Sequence, residues 1–113
     1  MKKLGAVLLA AIVLSGCSKG ISDLAAENDW YGIGYQDGIK GSHARSYSQL
    51  RELGQANHAE YDQGYMRGVA EYCDPDVAYQ IGLSGQYYEG VCEGTEHAQK
   101  FRMEWQRGWN ESR

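Results

Sequence analysis

Three histidines and a scatter of carboxylates are the first places to look for chemistry in this chain. His43, His58 and His97 lie far apart, each in a polar context, where histidine is more often a surface or hydrogen-bonded group than a base. Asp37, Asp62, Asp74, Asp76 and Glu89 contain enough carboxylates for a sugar-hydrolysing pair, but no spacing among them selects one. Gly32, Gly34 and Gly38 suggest a dinucleotide loop, yet their spacing is G-x-G-x-x-x-G and no strand pattern precedes it. Ser84 sits in Gly82-Leu83-Ser84-Gly85, and Gln86 stands where a nucleophile elbow needs its second glycine. We therefore expect no catalytic residue, no cofactor and no metal site; the chain is read as not an enzyme.

What recurs is an aromatic-x-x-Gly unit: Tyr31/Gly34, Tyr35/Gly38, Tyr61/Gly64, Tyr65/Gly68, Tyr79/Gly82, Tyr87/Gly90 and Trp105/Gly108. Aromatic stripes at helical spacing are usually core, with glycine admitting a neighbouring ring or helix. Tyr87 and Tyr88 differ, because adjacent residues on a Gly-rich loop cannot both point inward. Tyrosine is favoured in recognition surfaces, so this pair is the candidate binding surface.

The elements that position these residues read as helices. Asn28 or Asp29 starts a helix with Tyr31, Gly34, Tyr35 and Gly38 on one face. From Arg45 a second stripe runs through Tyr47, Leu50, Gly54, Tyr61, Gly64, Tyr65, Gly68 and Tyr72, with a break expected around residues 54–58. Asp74-Pro75 is a helix start, with aspartate as cap and proline at the first helical position. Thr95 is expected to cap a last helix whose stripe is Ala98, Phe101, Trp105 and Trp109. β-Branched residues are few and strict alternation is absent, which argues against a Tyr/Gly-rich sheet. The expected fold is all-α, a small bundle of about four helices with Gly/aromatic packing.

The N-terminus bears on location. Lys2 and Lys3 precede an apolar run over residues 4–14. That run is too short for a spanning helix and fits the central region of a signal peptide. Leu14-Ser15-Gly16-Cys17 follows, and it resembles the lipobox of bacterial lipoproteins. The resemblance implies a diacylglycerol on the Cys17 sulfur, cleavage before it and acylation of the new amino group. More than one acyl chain anchors a protein without any spanning helix. Ser18, where aspartate commonly retains such proteins in the inner membrane, implies an outer-membrane, periplasm-facing location. The chain then divides into a signal peptide (1–16), a lipidated tether (17–27) and a helical domain (28–113).

With Cys17 assigned to lipid, Cys73 and Cys92 remain as an even pair in an oxidising compartment, so a disulfide is the default. The rival is a metal site completed by His97, which lacks the closely spaced ligand pairs zinc sites usually have. Removing 16 of the 113 residues leaves one small domain. Lys2 and Lys3 leave with the leader, so the formal charge of −4 becomes −6. An acidic domain is a poor partner for nucleic acid or for anionic lipid through basic patches, so the membrane is expected as a partner through the anchor alone.

The segments DWYGIGYQDGIKG, YDQGYMRGVAEYC and AYQIGLSGQYYEGVC, with the aromatic-x-x-x-aromatic-x-x-Gly tail, resemble the YfiL-like lipoproteins of Gram-negative bacteria. That resemblance implies an envelope lipoprotein and no reaction. The expected role is non-enzymatic, structural or binding, with an envelope protein or peptidoglycan as possible partner; the alternative is a glycan-binding module or accessory cell-wall enzyme. The lipobox gives a direct test. Cys17→Ala should block cleavage after Gly16 and release the domain from membranes, as mass spectrometry and fractionation would show; a variant still cut there and still membrane-bound refutes the assignment.

Overall fold

The computed structural model describes residues 19–113; the leader and Cys17 lie outside them. Among the described residues there are six helices and no strand. They are α1 (Ile21–Ala26), α2 (Trp30–Ile39), α3 (Tyr47–Leu53), α4 (His58–Tyr72), α5 (Pro75–Leu83) and α6 (Ala98–Glu111). The all-helical class holds, but the helix count is six rather than about four. The additional elements are the two shortest. α1 forms inside the stretch expected as a tether, because Leu24 finds a place in the core beside Trp30, Ile33, Leu50 and Tyr61. α3 and α4 share the long aromatic stripe, which breaks at residues 54–57, and the Asn57 side chain accepts from the Glu60 N–H to start α4.

Local chemistry sets most other boundaries. Asp29 accepts from the Gly32 N–H at 2.9 Å to cap α2. Ser46 and Gln49 exchange side-chain bonds with each other's backbone N–H at the start of α3. Asp74 accepts from the Asp76 N–H with Pro75 at the first helical position. Thr95 does not cap α6. Its hydroxyl donates to the Cys92 carbonyl, and the helix begins after His97.

The aromatic-x-x-Gly units explain how the helices meet. Gly34 of α2 lies against the carbonyl of Tyr61 in α4, and Gly64 lies against the carbonyl of Tyr31. Gly38 faces Tyr65 in the same way, and Gly68 faces Tyr35. In the second half Gly82 of α5 faces Trp105 of α6, and Gly108 faces Tyr79. Six of the seven units thus form three reciprocal pairs. A methyl group built on any of these six glycines would sit no more than 2.5 Å from the facing carbonyl oxygen. The α-hydrogen in its place points at that oxygen, a Cα–H···O contact worth roughly 0.5–1 kcal/mol.

The register shows that both helix pairs are parallel. Moving up α2 from Gly34 to Gly38 moves the partner up α4 from Tyr61 to Tyr65. Pro75 and Asp76 lie near His97 and Lys100, while Gly82 lies by Trp105 and Trp109. Parallel neighbours cannot be joined by a tight turn, so each pair needs a return connection. Residues 40–57, carrying α3, return the chain in the first pair, and residues 84–97 return it in the second.

The two pairs are built on one pattern. Tyr35-Gln36-x-Gly38 in α2 matches Tyr79-Gln80-x-Gly82 in α5. Tyr65-x-Arg67-Gly68-x-x-Glu71 in α4 matches Trp105-x-Arg107-Gly108-x-x-Glu111 in α6. The contacts correspond. The Tyr35 hydroxyl donates to Glu71 at 2.6 Å and the Tyr79 hydroxyl donates to Glu111. Arg67 pairs with Glu71, whereas Arg107 lies 4.1 Å above the Tyr79 ring.

Each pair has its own core. Leu24, Trp30, Ile33, Leu50 and Tyr61 fill the first; Tyr72, Cys73, Ala78, Tyr88, Cys92, Phe101 and Trp105 fill the second. The junction lies at the end of α4. Cys73 follows α4 directly and forms a disulfide with Cys92, and the Tyr72 ring covers Gly41, whose φ of +74° no side chain adopts readily. Gln86 donates to the Lys40 carbonyl across the same seam.

Two predictions follow from this packing. Gly34→Ala and Gly82→Ala should each cost about 2 kcal/mol by forcing the helices apart, more than the roughly 1 kcal/mol that alanine gains in helix propensity. Gly20→Ala, which meets nothing within 4 Å, serves as the control; thermal melts that fail to separate these variants from the control would show that close approach is not what the glycines provide. Cys73→Ser and Cys92→Ser should each cost about 3 kcal/mol for a closed loop of this length, and the double variant should be no worse, because either change deletes the same bond. Additive losses in denaturant melts would contradict that account.

Candidate binding cleft

The connection over residues 84–97 has no regular structure and is held by side chains. The disulfide fixes Cys92 to the end of α4. The Tyr88 hydroxyl donates to Glu93 at 2.9 Å and accepts from the Cys92 N–H at 3.0 Å. Trp105 Nε1 donates to the Gln86 carbonyl, and Arg102 pairs with Glu93 at 2.6 Å. Gly85, Gly90 and Gly94 all have positive φ, where a side chain would be strained. Gly90, of the seventh aromatic-x-x-Gly unit, faces open space and serves this turn rather than a helix contact.

This scaffold separates the two adjacent tyrosines. Tyr88 is buried at 7 % exposure, its ring against Phe101 and Trp105 at centroid distances of 5.1 and 5.9 Å. Burial and then the Glu93 hydrogen bond push its phenol up to about 12, so it stays neutral and donates. Tyr88 is therefore a core residue, which corrects its place in the candidate binding surface: its hydroxyl finds two partners inside. Tyr87 is 66 % exposed. It stands edge-on to Trp105 and Trp109 at 6.0 and 6.1 Å, over two indoles that are themselves 5.2 Å apart.

Tyr87, Tyr88, Arg102, Met103, Trp105 and Gln106 line an open cleft of about 380 Å³. The sequence placed only the two tyrosines here. Arg102, Met103 and Gln106 come from the flank of α6, Arg102 and Gln106 each one residue after a member of the Phe101, Trp105 and Trp109 stripe, and that periodicity was the available signal. The cleft combines exposed aromatic and thioether surface with a guanidinium and an amide at its edge. None of its lining residues is Ser, Cys, His, Asp or Glu.

The remaining candidates for chemistry lie away from this cleft, and some of them come together. His43 lies 3.7 Å from Glu89, His97 lies 3.3 Å from Glu96, and His58 stacks on Tyr47 at 4.0 Å. Ser84 donates to the Ile81 carbonyl as a turn residue. Gly32, Gly34 and Gly38 lie within α2 rather than in a phosphate loop. A larger hollow of about 670 Å³ lies between the end of α4 and the start of α6, where Glu71, Asp74, Asp76, His97 and Lys100 meet. Glu71 there is already held by Tyr35 and Arg67, whose hydrogen bonds lower its carboxyl below the ordinary range. Among the described residues no group of three His, Cys, Asp or Glu side chains is placed to hold a metal ion. With both cysteines in the disulfide, the metal alternative through His97 has lost its thiolates.

Asp37, one of the carboxylates that the sequence offers without selecting a pair, is a buried charge. Asp37 is 6 % exposed, accepts from the Tyr61 hydroxyl at 2.8 Å and pairs with Arg45 Nε at 2.8 Å. Tyr61 in turn accepts from the Arg45 N–H, and Tyr65 donates to the Ser42 carbonyl. These bonds close the connection after α2 onto the first helix pair, and burial above all raises the Tyr61 phenol. The group is internally satisfied and opens onto none of the clefts described above. By contrast, the buried Tyr72 hydroxyl and His58 Nε2 have no hydrogen-bond partner among the described residues.

No curated protein and no solved structure matches the chain. A family does, over residues 29–110, the span that begins at the cap of α2 and ends within the last turn of α6. The chain therefore belongs to the family described as "Protein of unknown function (DUF2799)".

Proposed function

We propose that this protein is an outer-membrane-anchored lipoprotein with a non-enzymatic binding role in the bacterial envelope, and that the Tyr87 cleft is its contact surface. The observation that carries the reading is Tyr87 itself. A large aromatic ring is held two-thirds exposed on a loop fixed by a disulfide, an indole hydrogen bond and a buried tyrosine. Rigid, exposed aromatic side chains lose little conformational freedom on binding, which suits them to recognition. The short apolar leader, the Leu14-Ser15-Gly16-Cys17 box and the likeness to YfiL-like lipoproteins support the location. No described helix is long and apolar enough to cross a membrane, so attachment in this reading is by lipid.

Glycan is the second reading, favoured by the composition of the cleft. An aromatic ring beside the Arg102 guanidinium and the Gln106 amide matches the mixture of stacking and hydrogen bonding that a sugar ring accepts. An accessory hydrolase is less well supported, since of the carboxylates lining the neighbouring hollow Asp74 caps a helix and Glu71 is held in an ion pair.

The test is retention of the lipid-free domain on purified cell-wall polymer, beside photo-crosslinking in the intact envelope. Tyr87→Ala should weaken whichever interaction is found by about tenfold, the effect of losing an interface anchor, without changing the melting temperature by more than a surface substitution does. Unchanged retention and an unchanged crosslinking pattern would remove the cleft as the contact.

A further inference from the structure

The expected tether between the lipid and the domain is largely absorbed into the fold. Leu24 is 6 % exposed in the first core, so α1 is fixed by burial rather than by surface contacts. The turn before it is carried along. The Gly20 N–H donates to Asp23, the Lys19 ammonium bonds both Glu27 oxygens at 2.9 and 3.0 Å, and Gln36 of α2 donates to the Lys19 carbonyl at 3.4 Å. Only two residue steps separate Lys19 from Cys17. Fully extended, they reach about 7 Å, compared with roughly 35 Å for a ten-residue tether.

We infer that the domain does not hang free of its membrane but docks on it through α1, with zwitterionic phospholipid headgroups as the partner. The inference rests on the lipid anchor at Cys17 proposed above. A thioether lipid seated in the bilayer and a chain fixed from Lys19 onward leave no length for the domain to stand away from the headgroups. The surface brought there is the exposed side of α1 and its flanks: Ser22, Asp23, Ala26, Glu27 and Asp29 around Lys19. Three carboxylates against one ammonium repel anionic headgroups within a Debye length and can pair with the ammonium of phosphatidylethanolamine. The anchor thus sets orientation as well as location. The α1 face is fixed against lipid, and the surfaces left for a partner are those turned away from it.

The mature lipidated protein in phosphatidylethanolamine-rich vesicles can test this. The native cysteines are consumed by lipid and by the disulfide, so Ser22→Cys offers a single thiol for a spin label on the exposed side of α1. Relaxation of that label by a headgroup-chelated nickel lipid should be strong, and should fall several-fold when a flexible Gly/Ser insertion of about 15 residues is placed after Ser18. Equal, weak relaxation with the native and the extended spacing overturns docking while mass spectrometry still finds Cys17 acylated. An unmodified Cys17 overturns the lipoprotein reading and docking together. Adding phosphatidylglycerol should reduce the relaxation further; an increase would overturn the assignment to zwitterionic headgroups.

Discussion

Three reciprocal contacts between glycine α-carbons and the carbonyls of facing aromatic residues set the distance between the helices, and most of the structure depends on them. Such contacts are individually weak. Six Cα–H···O interactions at roughly 0.5–1 kcal/mol each about offset the roughly 1 kcal/mol that each helical glycine costs against alanine. Their value is geometric. Once the backbones touch, the aromatic rings that flank each glycine are forced off the contact line, to lie beside it or in the core behind it.

Aromatic cores of this kind carry a polar obligation, because each buried tyrosine brings a hydroxyl that must be satisfied. The fold meets it mostly at its edges. Tyr35 and Tyr79 reach the glutamates that follow the partner glycine by three residues, Tyr65 reaches the Ser42 carbonyl, and Tyr61 reaches Asp37. These bonds tie returning loops to helices as well as helix to helix. Where the second pair has Phe101 in the place of Tyr61 and Ile81 in the place of Asp37, the buried polar group is gone, and a disulfide holds the returning loop. The same helical device is thus closed by a buried ion pair in one half and by a covalent bond in the other.

That difference matters for function. A loop closed by Arg45 and Asp37 is drawn inward and covered by α3, which places Leu50 in the core. A loop closed by the disulfide and Tyr88 stays irregular and carries Tyr87 outward over two indoles. The exposed ring is a consequence of the scaffold: with Tyr88 turned in and Gly90 in a left-handed turn, Tyr87 has nowhere to go but out.

The helix starts at Asp29 and Asp74, the all-helical class, the disulfide partners and the break in the long stripe were legible in the sequence, because each depends on near neighbours or on a small count. Asp74-Pro75 is a local cap signal, two cysteines have one pairing, and Gly54, a poor helix former, marks where the long stripe parts. The parallel arrangement was not legible. A stripe of Tyr and Gly tells a helix which face to bury but not the direction of its partner, which is fixed only when two backbones meet in register. α1 was legible only in part: Ser22 could cap a helical turn over residues 23–26, but the cap is Gly20, and the buried leucine has meaning only once Trp30 and Tyr61 form the site that receives it. Which of Tyr87 and Tyr88 faces outward was equally beyond the sequence, because alternation requires that one turn in but does not say which. That choice was made by Glu93, the Cys92 backbone and the Phe101 and Trp105 rings, which offer a hydroxyl its partners on one side of the loop alone.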